Sequence, residues 1–258
     1  MEELVLYEIN GKTAIITLNR PEQLNSLSGD LVEQFIDALS RAEVDSNAKS
    51  VIITGAGRAF CAGGDLLFMN TLTNAHERKV FIEKCGLVIK TIVNMAKPVI
   101  AMVNGVAAGA GFNIALACDL IFAADTAKFA QSFAKVGLIP DCGGIYFLAR
   151  TVGLHKAKEI MFTADTITAQ ECFQLKLVNQ VLPADTLVEQ VVNFSNALAQ
   201  SAPLALAMTK KALNNTEASL DDVLNYEAVA QAMLLETGDY AEGVKAFKEK
   251  RAPNFRGK

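Results

Sequence analysis

Residues 4–9 and Thr13–Leu18 alternate or run apolar on either side of Asn10-Gly11. That is the signature of a β-hairpin, whose tight turn needs a residue free to adopt positive φ. Leu31, Val32, Phe35, Ile36 and Leu39 then recur at helical spacing, with Ser28 placed as an N-cap and Asp30 in the first turn. The apolar run at 50–54 predicts a short buried strand. Asn74-Ala75-His76-Glu77 has the form of a capping box and predicts a long amphipathic helix reaching about residue 96. Residues 99–103 predict another strand, 109–118 a helix and 120–123 a further strand. Strands alternating with helices in this order indicate an α/β protein.

After Gly143 the pattern is helical almost throughout. Thr168 with Glu171 and Ser219 with Asp222 supply further N-terminal caps, and Pro203 suits the first turn of a helix, where its missing N–H costs nothing. A soft boundary is expected near residue 200, dividing a core at 1–200 from a helical region at 201–258. No low-complexity linker marks it, so the tail is expected to pack on the core or on a neighbouring subunit. The apolar stretch 98–120 is long enough to be tested as a membrane span. Its glycines, Asn104, Asn113 and the closing Asp119 fit a buried strand and a buried helix better.

A chain of 258 residues with 51% hydrophobic and 20% charged residues has an ordinary globular composition. A chain of this length buries roughly 70–75% of its unfolded surface, so a substantial core is expected. The net charge of −4 gives no electrostatic reason to expect nucleic acid or an anionic membrane as partner. An anionic ligand would need local cations or backbone amides. The five cysteines, Cys61, Cys85, Cys118, Cys142 and Cys172, are scattered and never form C-x-x-C. Neither a metal site nor a disulfide framework is expected, and a reducing cytoplasm is the simplest setting. Cys61 and Cys142 read as small buried hydrophobes rather than nucleophiles. The acidic start leads directly into a strand pattern, without the form of a signal or transit peptide.

Four ordered segments carry a family resemblance: 19–27 (NRPEQLNSL), 58–66 (RAFCAGGDL), 104–119 (NGVAAGAGFNIALACD) and 129–144 (FAQSFAKVGLIPDCGG). Together they resemble the crotonase, or enoyl-CoA hydratase/isomerase, family, and the likeness runs through the whole chain to its helical C-terminus. It implies a spiral of repeated ββα units with a C-terminal helical trimerisation region that covers the CoA site. It also implies an acyl-CoA substrate, no separate cofactor, no metal, and a homotrimer or hexamer. Val223, Leu224, Val229, Met233, Leu234 and Leu235 give the tail the apolar surface such an assembly would use.

Enzymes of this family stabilise the oxyanion of a thioester enolate, which calls for two preorganised donors. By the resemblance these are the backbone amides of Ala62 and Ala110, with Gly63, Gly64, Gly109 and Gly111 allowing close approach. Ala110 would also sit in the first turn of its helix, where the dipole favours negative charge. The CoA is expected to run past Gln23, Leu24 and the loop from Ala62 through Asp65 to Leu66. Arg58 and the C-terminal Lys245, Lys248, Lys250 and Arg251 are candidates for its phosphates, or else a solvated face.

Family hydratases use two glutamates, and the resemblance places those positions at Asn113 and Phe133. Neither an amide nor a phenyl ring can act as a general base. Asp141, in Ile139-Pro140-Asp141-Cys142-Gly143-Gly144, lies where several isomerases of the family place their acid. A single carboxylate suffices for a 1,3-proton shift, and Phe133 would line the pocket and exclude water. Asp141 is equally well placed to cap the following helix, and a helix N-terminus would lower its pKa where a base needs it raised. The dehalogenases that share this aspartate also need a tryptophan and a histidine. This chain has no tryptophan, and its two histidines, His76 and His155, suit capping or surface roles. An isomerase moving a double bond from position 3 to position 2 is therefore expected, alongside a hydratase-type lyase and a non-catalytic acyl-CoA-binding or RNA-binding member of the fold.

Overall fold

The computed structural model describes residues 2–215 and 217–258. β1 (Val5–Asn10) and β2 (Thr13–Leu18) pair antiparallel through a turn at Gly11 and Lys12. Gly11 adopts φ +63° there, in the left-handed region that glycine enters without strain. α1 (Gly29–Val44) follows, its N-cap Ser28 accepting the Leu31 amide; Leu31, Val32, Phe35, Ala38, Leu39 and Ala42 are buried and Ile36 is half-buried.

The chain then repeats one move. β3 (Ser50–Gly55) is followed by β4 (Ala59–Cys61), then α2 (Leu66–Thr71) and α3 (Ala75–Asn94). β5 (Val99–Val103) leads to β6 (Val106–Ala108) and α4 (Ala110–Ala117). β7 (Leu120–Ala124) leads to β8 (Lys128–Ala130), then α5 (Gly144–Val152) and α6 (Leu154–Thr163). Each turn adds one strand to a six-stranded sheet and one to a four-stranded sheet. β9 (Thr166–Thr168), α7 (Ala169–Gln174), β10 (Gln180–Leu182) and α8 (Leu187–Leu198) complete the two sheets, ordered β1-β2-β3-β5-β7-β10 and β4-β6-β8-β9. This is the expected spiral of ββα units.

From β2 onward the large sheet is parallel. Every residue of β3 and β5 is buried, as parallel strands covered on both faces require. α8 packs across β3, β5 and β7 and is fastened by a buried hydroxyl cluster. Thr13 Oγ1 lies 2.9 Å and Ser50 Oγ 2.8 Å from Ser195 Oγ.

The long strands and helices lie where the hydrophobic pattern predicts them. The expectation of helices almost throughout after Gly143 is corrected by β9, antiparallel to β8, and β10, parallel to β7. Beyond Leu198 the chain forms α9 (Pro203–Asn214), α10 (Leu220–Leu235) and α11 (Gly238–Glu249). Lys210 ties α9 to the core, reaching Asp119 Oδ2 at 2.8 Å and the Ile92 carbonyl at 3.0 Å. Among the described residues no helix is long and apolar enough to cross a membrane.

Candidate active site

Three backbone segments meet where β4 ends. The 19–28 loop leaves β2 through a 3-10 turn at Pro21–Gln23, and Leu24 and Asn25 both take positive φ. Fully buried Asn25 holds this strained corner: its Nδ2 donates to the carbonyls of Ala56 (2.9 Å) and Ala59 (2.7 Å), and its Oδ1 accepts the Arg20 amide. The loop then pairs with the glycines after β4. Leu27 N donates to Gly63 O at 2.8 Å, and Asp65 N donates to Leu27 O at 3.0 Å.

These bonds correct one expected donor. The Ala62 N–H already donates to Leu24 O at 3.0 Å and cannot serve a ligand. The Gly64 N–H can. The Gly63–Gly64 peptide is trans, so its N–H points opposite to its C=O, and that carbonyl faces Leu27. Gly64 N–H is thus turned away from the 19–28 loop and has no protein acceptor among the described residues. Gly63, at φ +99°, has no room for a side chain, since a Cβ there would stand 2.9 Å from Ala108 O and 3.5 Å from Ala110 N.

Ala110 opens α4 behind the N-cap Gly109 (φ +52°). Its amide belongs to the first turn, where helix N–H groups lack intrahelical partners. α4 is brought against β4 by Gly111, where an added Cβ would fall 2.0 Å from Cys61 O. Gly64 and Ala110 therefore carry two amides with no protein acceptor among the described residues, the Ala110 nitrogen 3.5 Å from where a Gly63 Cβ would lie. Phe133 is buried, its ring edge 3.6 Å from where a Gly109 Cβ would lie. It closes the same end of the site with an apolar wall.

Asp141 lies in the turn before α5. The capping role open to it is not what the turn uses: the N-cap is Gly143, at φ +73°, with no side-chain cap bond. Asp141 instead closes the turn with its backbone carbonyl, which accepts the Gly144 amide at 2.9 Å. Its Oδ1 is buried without a partner, and burial pushes its pKa above the usual carboxylate value. Asn113, one turn along α4 from Ala110, donates Nδ2 to the Asp141 carbonyl at 2.8 Å, which ties the aspartate turn to the donor helix.

Other expected residues take different places. Asp65 caps α2 through the Leu67 and Phe68 amides and pairs with Arg20 at 3.0 Å. Burial opposes its ionisation, but the α2 amides and Arg20 outweigh that and hold its pKa low. Arg20 also donates to Ser26 O at 2.8 Å, so it and Asn25 are structural members of the site that the motif reading missed. Gln23, Arg58, Leu66, His76 and His155 are exposed, and Leu24 is half-buried. Arg251 is engaged by Glu242 (2.6 Å) and Glu249 (2.7 Å), which weakens its candidacy for phosphate. All five cysteines are free and buried. Burial pushes the Cys61 thiol to about 12; the Cys85 thiol, burial and the Asp141 charge push Cys142 up as well. Neither favours a thiolate. Among the described residues, no three His, Cys, Asp or Glu side chains form a metal-binding group.

The family model for "Enoyl-CoA hydratase/isomerase" matches residues 8–258. The chain is 36% identical to a 1,2-epoxyphenylacetyl-CoA isomerase of Escherichia coli over the full length of both proteins. It is 37% identical to a crotonyl-CoA hydratase of Syntrophomonas wolfei, covering 98% of each. Among solved structures, an enoyl-CoA hydratase from Polaromonas superposes with a TM-score of 0.94 at 38% identity, covering 98% of this chain and 99% of that one. One from Bacillus anthracis gives 0.95 at 33% identity, covering 99% and 100%. The chain belongs to the enoyl-CoA hydratase/isomerase family.

Proposed function

We propose that this enzyme is an acyl-CoA isomerase, moving a double bond from position 3 to position 2 of a fatty or ring-derived acyl-CoA. The observation that carries the reading is Asp141: a carboxyl with one buried, unpartnered oxygen and a raised pKa, in a turn that Asn113 ties to the helix whose first residue is Ala110. The two positions where family hydratases carry glutamate hold Asn113 and Phe133. The amides of Gly64 and Ala110 would hold the thioester oxygen as it gains negative charge. Such preorganised donors stabilise an enolate without having to reorganise during the reaction. Asp141 would take the proton from C2 or C4 and return it at the other carbon. A single group serves both steps because the proton it removes converts it into the acid that protonates the other carbon. Phe133 would keep water from the dienolate. The E. coli relative, named as an isomerase of a ring-derived acyl-CoA, supports including such substrates.

The CoA chain would pass Gln23 and Leu24 and the Gly63–Gly64 backbone, beside Leu66, with Arg58 free to meet a phosphate. Asp65 is assigned to shaping this loop. Asp141→Asn tests the reading. Turnover of 3-enoyl-CoA should be lost while CoA-ester affinity by calorimetry is kept. Retained turnover would reject Asp141 as the acid/base. No turnover by the wild type on any enoyl-CoA, with binding intact, would favour the non-catalytic reading.

A further inference from the structure

Two amide side chains next to the Asp141 turn, Asn113 and Gln131, are fully buried. Burying an amide is costly unless its polar atoms are bonded; both ends of Asn113 and the amino group of Gln131 are bonded, while Gln131 Oε1 has no partner among the described residues. Asn113 Nδ2 donates to Asp141 O at 2.8 Å, and Gln131 Nε2 donates to Asn113 Oδ1 at 2.6 Å. The orientation of Asn113 is forced, because only its NH2 end can face a backbone carbonyl. Gln131 locks that orientation from the other side. The fit around them is tight: a Cβ on Gly144 would lie 2.4 Å from the Asn113 amide.

The turn they hold is strained. Cys142 takes φ +47° and Gly143 φ +73° in succession, and a non-glycine residue in the left-handed region costs free energy that its surroundings must offset. Asp141 O is the hinge of this turn, accepting from Gly144 N within it and from Asn113 outside it. The carboxylate direction therefore depends on where that carbonyl is held.

We propose that Asn113 and Gln131 are positioning residues for Asp141. Acting in relay, they fix the 140–144 turn against α4 and so set the direction from which the carboxyl enters the site. The glutamate-equivalent position has been turned from a proton-transfer role into a scaffold for a different acid. This inference rests on the reading of Asp141 as the acid/base.

Asn113→Asp keeps the shape but sets an oxygen against the Asp141 carbonyl. Gln131→Met keeps length and apolar fill, and removes the donor to Asn113. Both are compared with Asp141→Asn in pH-dependent isomerase kinetics. Each positioning variant should lower kcat by about 10–100-fold, as a displaced catalytic group does, with KM held and the acid limb of kcat/KM moved. If Asp141→Asn turns over normally, the isomerase reading fails. If Asp141→Asn is inactive while both variants keep wild-type kcat and pH profile, the positioning role fails and the isomerase reading stands. A loss that appears in KM alone, with kcat and the pH profile unchanged, would also overturn positioning. Should Asn113→Asp fail to fold, Gln131→Met decides alone.

Discussion

A carboxyl with one oxygen buried and unpartnered is easier to protonate than one in water, because burial penalises its charged form. Two consequences follow for Asp141, whose pKa is raised. As a base it must be ionised, so kcat/KM should fall as pH drops through this raised value, and a pH-independent kcat/KM across that range would contradict the assignment. The same shift makes the ionised group destabilising. With the folded pKa above the unfolded value of about 3.9, its stabilising contribution is full below that value and is lost as pH rises through the folded pKa. Asp141→Asn should therefore melt higher than wild type at pH 7, with the difference shrinking toward pH 3. A lower melting temperature at pH 7 would contradict the sign. The donors can be tested separately. Proline is tolerated at the first helical position, so Ala110→Pro should keep α4 yet remove one amide donor, lowering kcat by about 10²–10³-fold. Unchanged kcat would exclude that amide. The motif identifies the glycine loop from sequence, but not which amide is free. That depends on Leu24 reaching back to Ala62 across 38 residues, a long-range bond invisible to local pattern.

At the level of elements, the site is made by backbone packing that leaves no room for side chains. Gly111 lets α4 rest on β4, and an added Cβ would meet Cys61 O at 2.0 Å. Gly111→Ala should cost about 1–3 kcal/mol, the usual range for overpacking, with activity lost alongside stability as Ala110 shifts from Gly64. Chemical denaturation with parallel assays checks this, and an unchanged midpoint would reject the close contact. The longer elements were legible because their periodicity runs over several residues, as in α1 and the hairpin. β4, β6, β8, β9 and β10 have three residues each, too few to show alternation. The aspartate turn was ambiguous for a related reason. Pro140-Asp141 before a helix reads as a cap locally, and only the positive φ at Cys142 and Gly143 displaces the cap to Gly143.

For the whole molecule, the tail poses the remaining question of what it packs against. No residue of α9 is buried, and in α10 only Ala230 is. Leu224, Val229, Met233 and Phe247 are exposed. Apolar helices left open in this way fit burial between subunits, and we expect three or six copies by light scattering, with Val229→Asp shifting the mass toward one copy. A monomeric wild type would contradict this.

The isomerase reading has one carboxylate moving one proton between C2 and C4 of a CoA thioester. It is tested most directly by incubating 3-enoyl-CoA with the enzyme in deuterated water and following products by mass spectrometry and NMR. The expected product is 2-enoyl-CoA with no early 3-hydroxyacyl-CoA, with solvent deuterium entering at C4 only where the Asp141 proton exchanges before its return and at C2 only through the reverse reaction. Rapid formation of 3-hydroxyacyl-CoA, or isomerisation that persists in Asp141→Asn, would contradict it.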